Sequence, residues 1–443
     1  MVDVLIIGSG LSGLVAAYHL TQAGKQVVVV EKENTVGGRA RTISMAGMEC
    51  ERAAQFLCQF YTHTNALIER LGIADQKVLI QAPNGIVTND RSNALKPWAF
   101  LIGGLLPFWS KLRLLRLGWD VWRTRRLLDV EDILKSEPLD TETILTYAEK
   151  SLDGAILNNF LRPAVRGFWF WQVGSTTKAM MFIFLKHILN PGLFTLKGGM
   201  GQLADALAAQ VEVELEATVQ QSVYDSAVGG WETAVHTPQG TQTISSKTIL
   251  CTIPATGINQ IFPNLPAPAR EFFGSITYTA DTPAHLFLNK RFHVSSFYQL
   301  FYPPADSHQI AGITIRSNKL PAQTPPGKDV ISIYPSNEFS QHTANKSDEE
   351  IVDLLLTQLN TLYPFAQVDF RSALIGTCVV RLEQALPVFN VGSIHKLKHF
   401  SNVIAQTFPP GLHFAGDFIG GPSIEQAIVA GEQASQKVLA FLQ

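Results

Sequence analysis

The sequence predicts an α/β protein with a parallel sheet, and three observations carry that prediction. An apolar strand at the amino terminus runs straight into a glycine-rich turn and an alanine-rich helix. A second glycine-rich strand-to-helix turn lies near the carboxyl terminus. Between residues 266 and 390 the pattern is mainly of strands, interrupted by one helix over Asp348 to Leu362. The 443 residues suffice for two or three domains at about 150 residues each.

Asp3 to Ile7 is the first strand and Gln26 to Val30, rich in valine, the second. Between them Gly8-Ser9-Gly10-Leu11-Ser12-Gly13 opens a helix that stops at Gly24, a natural left-handed cap. This is a βαβ unit with G-x-G-x-x-G at its turn. Gly8 makes the tight turn, Gly10 lets a pyrophosphate reach the backbone, and Gly13 allows close helix–sheet packing. The helix start offers unpaired N–H groups and a positive dipole end to the phosphates. Glu31 closes the second strand 18 residues after Gly13, where a carboxylate accepts both ribose hydroxyls of a dinucleotide and repels an added phosphate. Gly37-Gly38-Arg39-Ala40-Arg41 follows, and its glycines and arginines suit a second clamp on the pyrophosphate. A nicotinamide enzyme has no need of that segment.

Other classes are excluded by composition. Net charge is −2 and charged residues are 16%, so no basic excess exists to neutralise nucleic-acid phosphates. Cys50, Cys58, Cys251 and Cys378 form no C-x-x-C pair or zinc spacing, which reads as core thiols in a reducing compartment. The start MVDVLIIGSG lacks the basic region and cleavage site of a signal peptide. The reading is therefore cytoplasmic, with peripheral attachment to the inner face of a membrane as a further expectation. The apolar stretch between Lys96 and Lys111 is short and broken by Gly103-Gly104 and Pro107, so no spanning helix is expected.

At the far end, Leu412 to Ala415 is a short strand ended by Gly416-Asp417, and Gly420-Gly421-Pro422 is a turn. Ser423 stands three residues before Gln426, a capping-box spacing. Ile424, Ile428, Gly431, Ala434 and Val438 mark the inner face of the helix that follows. Asp417 is placed to hydrogen-bond a polyol such as ribitol, and backbone N–H groups near Ile424 to face the N1/O2 edge of a flavin. That edge is negative in the reduced ring, so a helix N-terminus there stabilises the two-electron product.

DVLIIGSGLSGLVAAYHL, VVVVEKENTVGGRART and GLHFAGDFIGGPSIEQAIVAGEQAS together resemble the FAD-binding signatures of the flavin amine oxidase superfamily. That group includes monoamine and polyamine oxidases, protoporphyrinogen oxidase, and the carotenoid and phytoene desaturases. Phe194 to Leu203 is similar to its GGM-x-x-L segment, and Leu250 to Ala255 to its strand-to-Pro junction. The resemblance implies a Rossmann-like FAD-binding domain in three pieces, residues 1–85, 195–265 and 390–443. It further implies a helical insert over 86–194 and a mixed-sheet substrate domain over 266–389. The cofactor set it implies is Gly8, Ser9, Gly10, Leu11, Ser12, Gly13, Glu31, Lys32, Gly38, Arg39, Ala40, Gln55, Phe56, Val219, Gly416, Asp417, Ser423 and Ile424. Val219 matches the position whose backbone meets the adenine. Gln55-Phe56 matches the stretch near the flavin ring, though it follows Glu51-Arg52-Ala53-Ala54 where relatives carry an acidic residue and a glycine.

Amine oxidases of this group place an aromatic residue beside the flavin before the last helix, where this chain has Pro422-Ser423-Ile424. No Cys occurs there for a covalent link, so the FAD is expected to be noncovalent. The G-P-S-I-E turn and Gln384 to Gly392, with its A-L-P segment, resemble the protoporphyrinogen oxidase and desaturase branch. In the insert, Arg113, Arg116, Arg123, Arg125 and Arg126 alternate with leucines, Trp119 and Trp122. Such a mixture suits a helix lying in a lipid headgroup layer; a buried helix whose arginines reach solvent is the alternative. Phe168 to Trp171 and Met180 to Phe184 supply an apolar wall for a large flat or polyene substrate. The expected activity is FAD-dependent dehydrogenation of such a substrate. An amine or amino-acid oxidase and a non-catalytic prenyl-binding relative are the other classes. The eleven histidines fall in no metal or nucleophile spacing, so no metal site and no catalytic base are named. His187, His285 and His413 read as hydrogen-bonded structural imidazoles.

Overall fold

The computed structural model describes residues 1–96, 99–100, 103–187 and 191–443. Strand β1 (Val2–Ile7), helix α1 (Leu11–Gln22) and strand β2 (Val27–Val30) form the expected βαβ unit, with β1 and β2 parallel. Their aliphatic runs are buried on both faces, as a parallel strand requires. The sheet continues on one side through Val213–Glu214, parallel to β2. On the other side β1 pairs with the long strand Gly240–Cys251, whose last residues also pair in parallel with Leu412–Phe414. The first half of that long strand belongs to an antiparallel meander with Gly230–Thr237 and Thr218–Asp225.

The second sheet has seven strands, in the order 374–379, 284–288, 329–335, 310–315, 299–301, 84–88, 91–94. It is mixed, because Gln299–Phe301 runs parallel to Asn84–Thr88 while the other pairs are antiparallel. One face is aliphatic, with Leu286, Leu300, Ile313, Ile331 and Ile333 packed on Ile351, Leu355 and Leu356 of the helix Asp348–Leu359. That helix starts at a full capping box between Ser347 and Glu350. The strands anticipated within residues 266–390 and the helix from Asp348 are present, but that helix is not the one interruption, since Ala267–Gly274, Arg316–Lys319 and Asn337–His342 are helical as well.

Local structure between residues 86 and 94 departs from the helical reading. Asn84–Thr88 and Arg91–Ala94 form a hairpin on the edge of the second sheet. Asn89 and Asp90 both sit at positive φ, 50° and 53°, the two-residue turn that Asn and Asp tolerate best. Helices follow, including α2 (Phe108–Thr124) and the stretches 162–169 and 178–187. Trp98, in the apolar stretch between Lys96 and Lys111, lies outside the described residues. Phe108, Leu112, Leu115, Trp119 and Trp122 recur at helical spacing on α2, and each is about half exposed or more. Its inward side is polar at Asp120, which accepts from Arg116 Nε and from the Tyr147 hydroxyl, both at 2.9 Å. No helix of the described residues is long and apolar enough to cross a membrane.

Candidate active site

Two helix N-termini converge on one cavity. The first is that of α1, reached from β1 through Gly8 at φ +102°. A Cβ on Gly13 would stand 2.1 Å from the Gly8 carbonyl oxygen, so only glycine lets the helix settle against the turn. The second is that of α3 (Ile424–Phe441), capped by Ser423, whose Oγ accepts from the Gln426 N–H at 3.2 Å. The helices meet at Gly431, where a Cβ would come within 2.4 Å of the Ser12 carbonyl oxygen. Ser12 Oγ donates to the Ala427 carbonyl at 2.8 Å.

The cavity measures about 970 Å³ and runs from these turns to an aromatic wall. Gly8, Gly10, Leu11, Ser12, Glu31, Lys32, Gly38, Arg39 and Ala40 line it, as do Gln55, Phe56, Val219, Gly416, Asp417, Ser423 and Ile424. Ser9 and Gly13 do not line it and act through neighbours instead. The Ser9 N–H and hydroxyl both donate to Glu31 Oε2 at 2.8 Å, and the Glu33 N–H donates to Oε1 at 3.0 Å. A carboxylate has about four lone-pair positions, so Glu31 retains one open position rather than the pair expected for two ribose hydroxyls. A diol gains the second bond only if the Ser9 hydroxyl rotates away.

Arg39 and Asp417, 378 positions apart, form an ion pair, and Arg39 Nη1 also donates to the Ala385 carbonyl at 2.9 Å. The expected phosphate clamp and polyol acceptor are therefore neighbours. Arg52 holds Glu33 through Nη2 at 2.9 Å, and this contact keeps the Glu33 carboxyl below its usual range. At the far end Phe168, Trp169, Phe170, Met180, Ile183 and Phe184 form the wall. Phe168 packs on Phe56 with centroids 6.2 Å apart. Phe170 is left-handed at φ 58°, a strained state for an aromatic residue.

Sequence reasoning missed the polar groups that the strands add to the lining, namely Asn84, Asp281, Gln299 and Tyr334. Asp281 is 2% exposed, and burial drives its carboxyl well above the usual range. It follows an irregularity in the pairing of Tyr278–Asp281 with Leu382–Pro387, of the kind that re-aims side chains. No local sequence signal marks such a position. Gln55 Nε2 donates to the Tyr334 hydroxyl at 2.7 Å, so Gln55 is tied to these groups. Asp281 thus sets a buried carboxyl among the cavity walls.

The histidines divide. His285 Nδ1 lies 2.8 Å from Ser332 Oγ, and burial depresses its pKa to about 4. His413 is likewise depressed to about 4 by burial, but its Nε2 is buried without a hydrogen-bond partner among the described residues, contrary to the expectation. His187 is not a buried structural imidazole: it lines the cavity and stacks on Phe60 at 4.2 Å.

The model of the family described as flavin containing amine oxidoreductase matches residues 11–439. The chain belongs to that family. Among curated members, the chloroplastic protoporphyrinogen oxidase of Nicotiana tabacum is 21% identical, over 99% of this chain and 86% of that protein. The coproporphyrinogen III oxidase of Propionibacterium freudenreichii is 23% identical, over 98% and 90%. Cyclohexylamine oxidase from Brevibacterium oxydans shares the fold with a TM-score of 0.75 at 17% identity, covering 100% of this chain and 99% of that one.

Membership makes this chain a flavin-dependent oxidoreductase with FAD as its cofactor. The cavity fits that group. A Cβ on Gly10 would meet no atom within 4 Å, and one on Gly38 only the Gly10 Cα at 3.7 Å. Both glycines thus face open space at a helix N-terminus, with Arg39 beside them. When bound, the flavin supplies the two-electron chemistry; the chain supplies the anion cradle, the carboxylates and the walls. Replacing Glu31 by Ala removes a charge-assisted acceptor worth roughly 1.5–3 kcal/mol per bond, so FAD affinity is expected to fall about tenfold or more. Flavin fluorescence titration of the apoprotein measures it, and unchanged affinity would show that Glu31 does not hold the ribose.

Proposed function

We propose that this oxidoreductase dehydrogenates a large, mainly apolar substrate at carbon, as a protoporphyrinogen oxidase or a polyene desaturase does. The observation that carries the reading is the breadth of the aromatic wall, Phe168 to Phe170 with Met180, Ile183 and Phe184, on the cavity that also receives both helix N-termini. Burying apolar substrate there contributes roughly 25 cal/mol per Å². The segment Pro422-Ser423-Ile424 offers no aromatic cage for an amine. The named relatives that act on porphyrinogens support the same reading. The test is anaerobic mixing of the oxidised enzyme with candidates while the visible flavin band is followed. Bleaching by a porphyrinogen or a phytoene-like polyene, with none by amines, is expected. Rapid bleaching by benzylamine, a polyamine or an amino acid alone would reverse the assignment in favour of an amine oxidase.

The same proposal places the enzyme against a membrane without crossing it. The apolar stripe of α2 is flanked by Lys111, Arg123, Arg125 and Arg126, and Arg125 lies over the Trp122 ring at 4.3 Å. Each such cation near an anionic surface contributes about 1 kcal/mol, and the tryptophans add interfacial burial. Flotation with anionic liposomes should decline as salt rises and when Trp119 and Trp122 become Ala. Absence of flotation at low salt would remove the membrane from the proposal.

A further inference from the structure

The inner face of the second sheet is crossed by a row of polar side chains. Strand register sets Asn84 opposite Gln299, Gln299 opposite Thr314, Thr314 opposite Ser332, and Ser332 opposite His285. All but Asn84 are at most 5% exposed. The other face of these strands is aliphatic and covered by the helix Asp348–Leu359, so polarity is confined to the face turned away from it. His285 Nδ1 pairs with Ser332 Oγ at 2.8 Å, which leaves His285 Nε2 buried without a partner among the described residues. At the other end of the row Asn84 Oδ1 and Gln299 Oε1 are also buried with no hydrogen-bond partner among the described residues. Asp281 Oδ1 is in the same condition. These three residues line the same cavity as the aromatic residues, and each presents an oxygen.

We propose that Asn84, Asp281 and Gln299 form a recess of hydrogen-bond acceptors that selects substrates carrying neutral ring N–H groups, as in a porphyrinogen, over hydrocarbon polyenes. The inference rests on the dehydrogenase reading above and decides between the two substrate classes it left open. A polyene filling this cavity leaves buried oxygens unpaired, and a site built to bond N–H groups rejects an analogue lacking them far more strongly than an apolar pocket rejects a change of size. A pyrrolic ligand covers the wall with its carbon framework and turns its N–H groups to the recess. Burial favours the uncharged form of the Asp281 carboxyl, which matches a neutral donor rather than an ammonium.

The probe is 5,5-dimethyldipyrromethane, whose bridging carbon bears no hydrogen to remove, compared with its N,N′-dimethyl derivative. Binding to the FAD-loaded enzyme is read by isothermal titration calorimetry and by perturbation of the flavin spectrum. The N–H compound is expected to bind about tenfold more tightly or better, and Gln299→Leu or Asp281→Leu to reduce that ratio towards one. The comparison on the unaltered enzyme stands even if a variant fails to fold. Equal binding of the two dipyrroles, or no saturable binding of either, would overturn the recess while leaving the dehydrogenase reading to the bleaching test. Displacement of the dipyrrole by benzylamine, with bleaching by the amine alone, would overturn both.

Discussion

Gly13→Ala and Gly10→Ala should fail in different ways, although both lie in one six-residue turn. At Gly13 the added Cβ would fall 2.1 Å from the Gly8 carbonyl oxygen and 2.8 Å from Thr252 Oγ1, with the Thr252 hydroxyl donating to the Ile7 and Gly8 carbonyls at 3.0 and 2.9 Å. Neither neighbour can yield without opening the junction of β1 with Gly240–Cys251, so the variant should lose about 3 kcal/mol of stability. Its apoprotein should melt several degrees lower and retain no flavin. At Gly10 the backbone is extended, φ −66° and ψ 170°, and the Cβ meets nothing. The Gly10→Ala apoprotein should therefore melt like the wild type. Its methyl group enters the space through which the pyrophosphate reaches the N-terminus of α1, and FAD affinity should fall on the order of 100-fold. Thermal melts of both apoproteins and fluorescence titration with FAD measure the contrast. A Gly10→Ala protein that keeps its flavin through gel filtration as the wild type does would place the phosphates elsewhere.

Asp281→Asn should stabilise the protein, and by more as pH rises. The unfolded carboxyl titrates near pH 3.9, while burial raises the folded value, with only the Thr282 N–H opposing. Between those two values the folded state holds a proton that the unfolded state has released, so stability falls as pH increases through that window. Each tenfold displacement of the acid equilibrium corresponds to about 1.4 kcal/mol. Asn keeps the shape and does not titrate, so the variant lacks this loss. Melting of the flavin-loaded protein from pH 5 to 8 should show wild type and Asp281→Asn diverging towards the alkaline end. Parallel profiles would mean that Asp281 is ionised in the folded protein and paired with a cation. A residue that lowers stability in this way is the kind retained for what it does in the cavity.

The nucleotide half of this protein was legible because its constraints are local. Gly8, Gly10 and Gly13 are needed by a turn that closes within six residues, and Ser423 caps a helix through Gln426 three positions on. Valine and isoleucine runs mark strands buried on both faces wherever they lie. By itself the sequence thus determined the βαβ unit, the second strand-to-helix turn, the dinucleotide chemistry and the strand-rich character of residues 266–390. The pairing of Arg39 with Asp417 needed the fold, since it joins residues 378 positions apart. So did the engagement of Glu31 by Ser9, which depends on how the turn faces the end of β2. Residues 86–94 carried a local hairpin signal in Asn89-Asp90 that the helical reading passed over, whereas the docking of that hairpin on the second sheet needed Gln299–Phe301, some 200 residues later. The row from Asn84 to His285 is the clearest case. Each member is an ordinary polar residue in its own strand, and only the register of five neighbouring strands aligns them on one buried face. Local chemistry determines what a turn or cap can bind, whereas long-range pairing decides which polar groups are stranded together against a substrate.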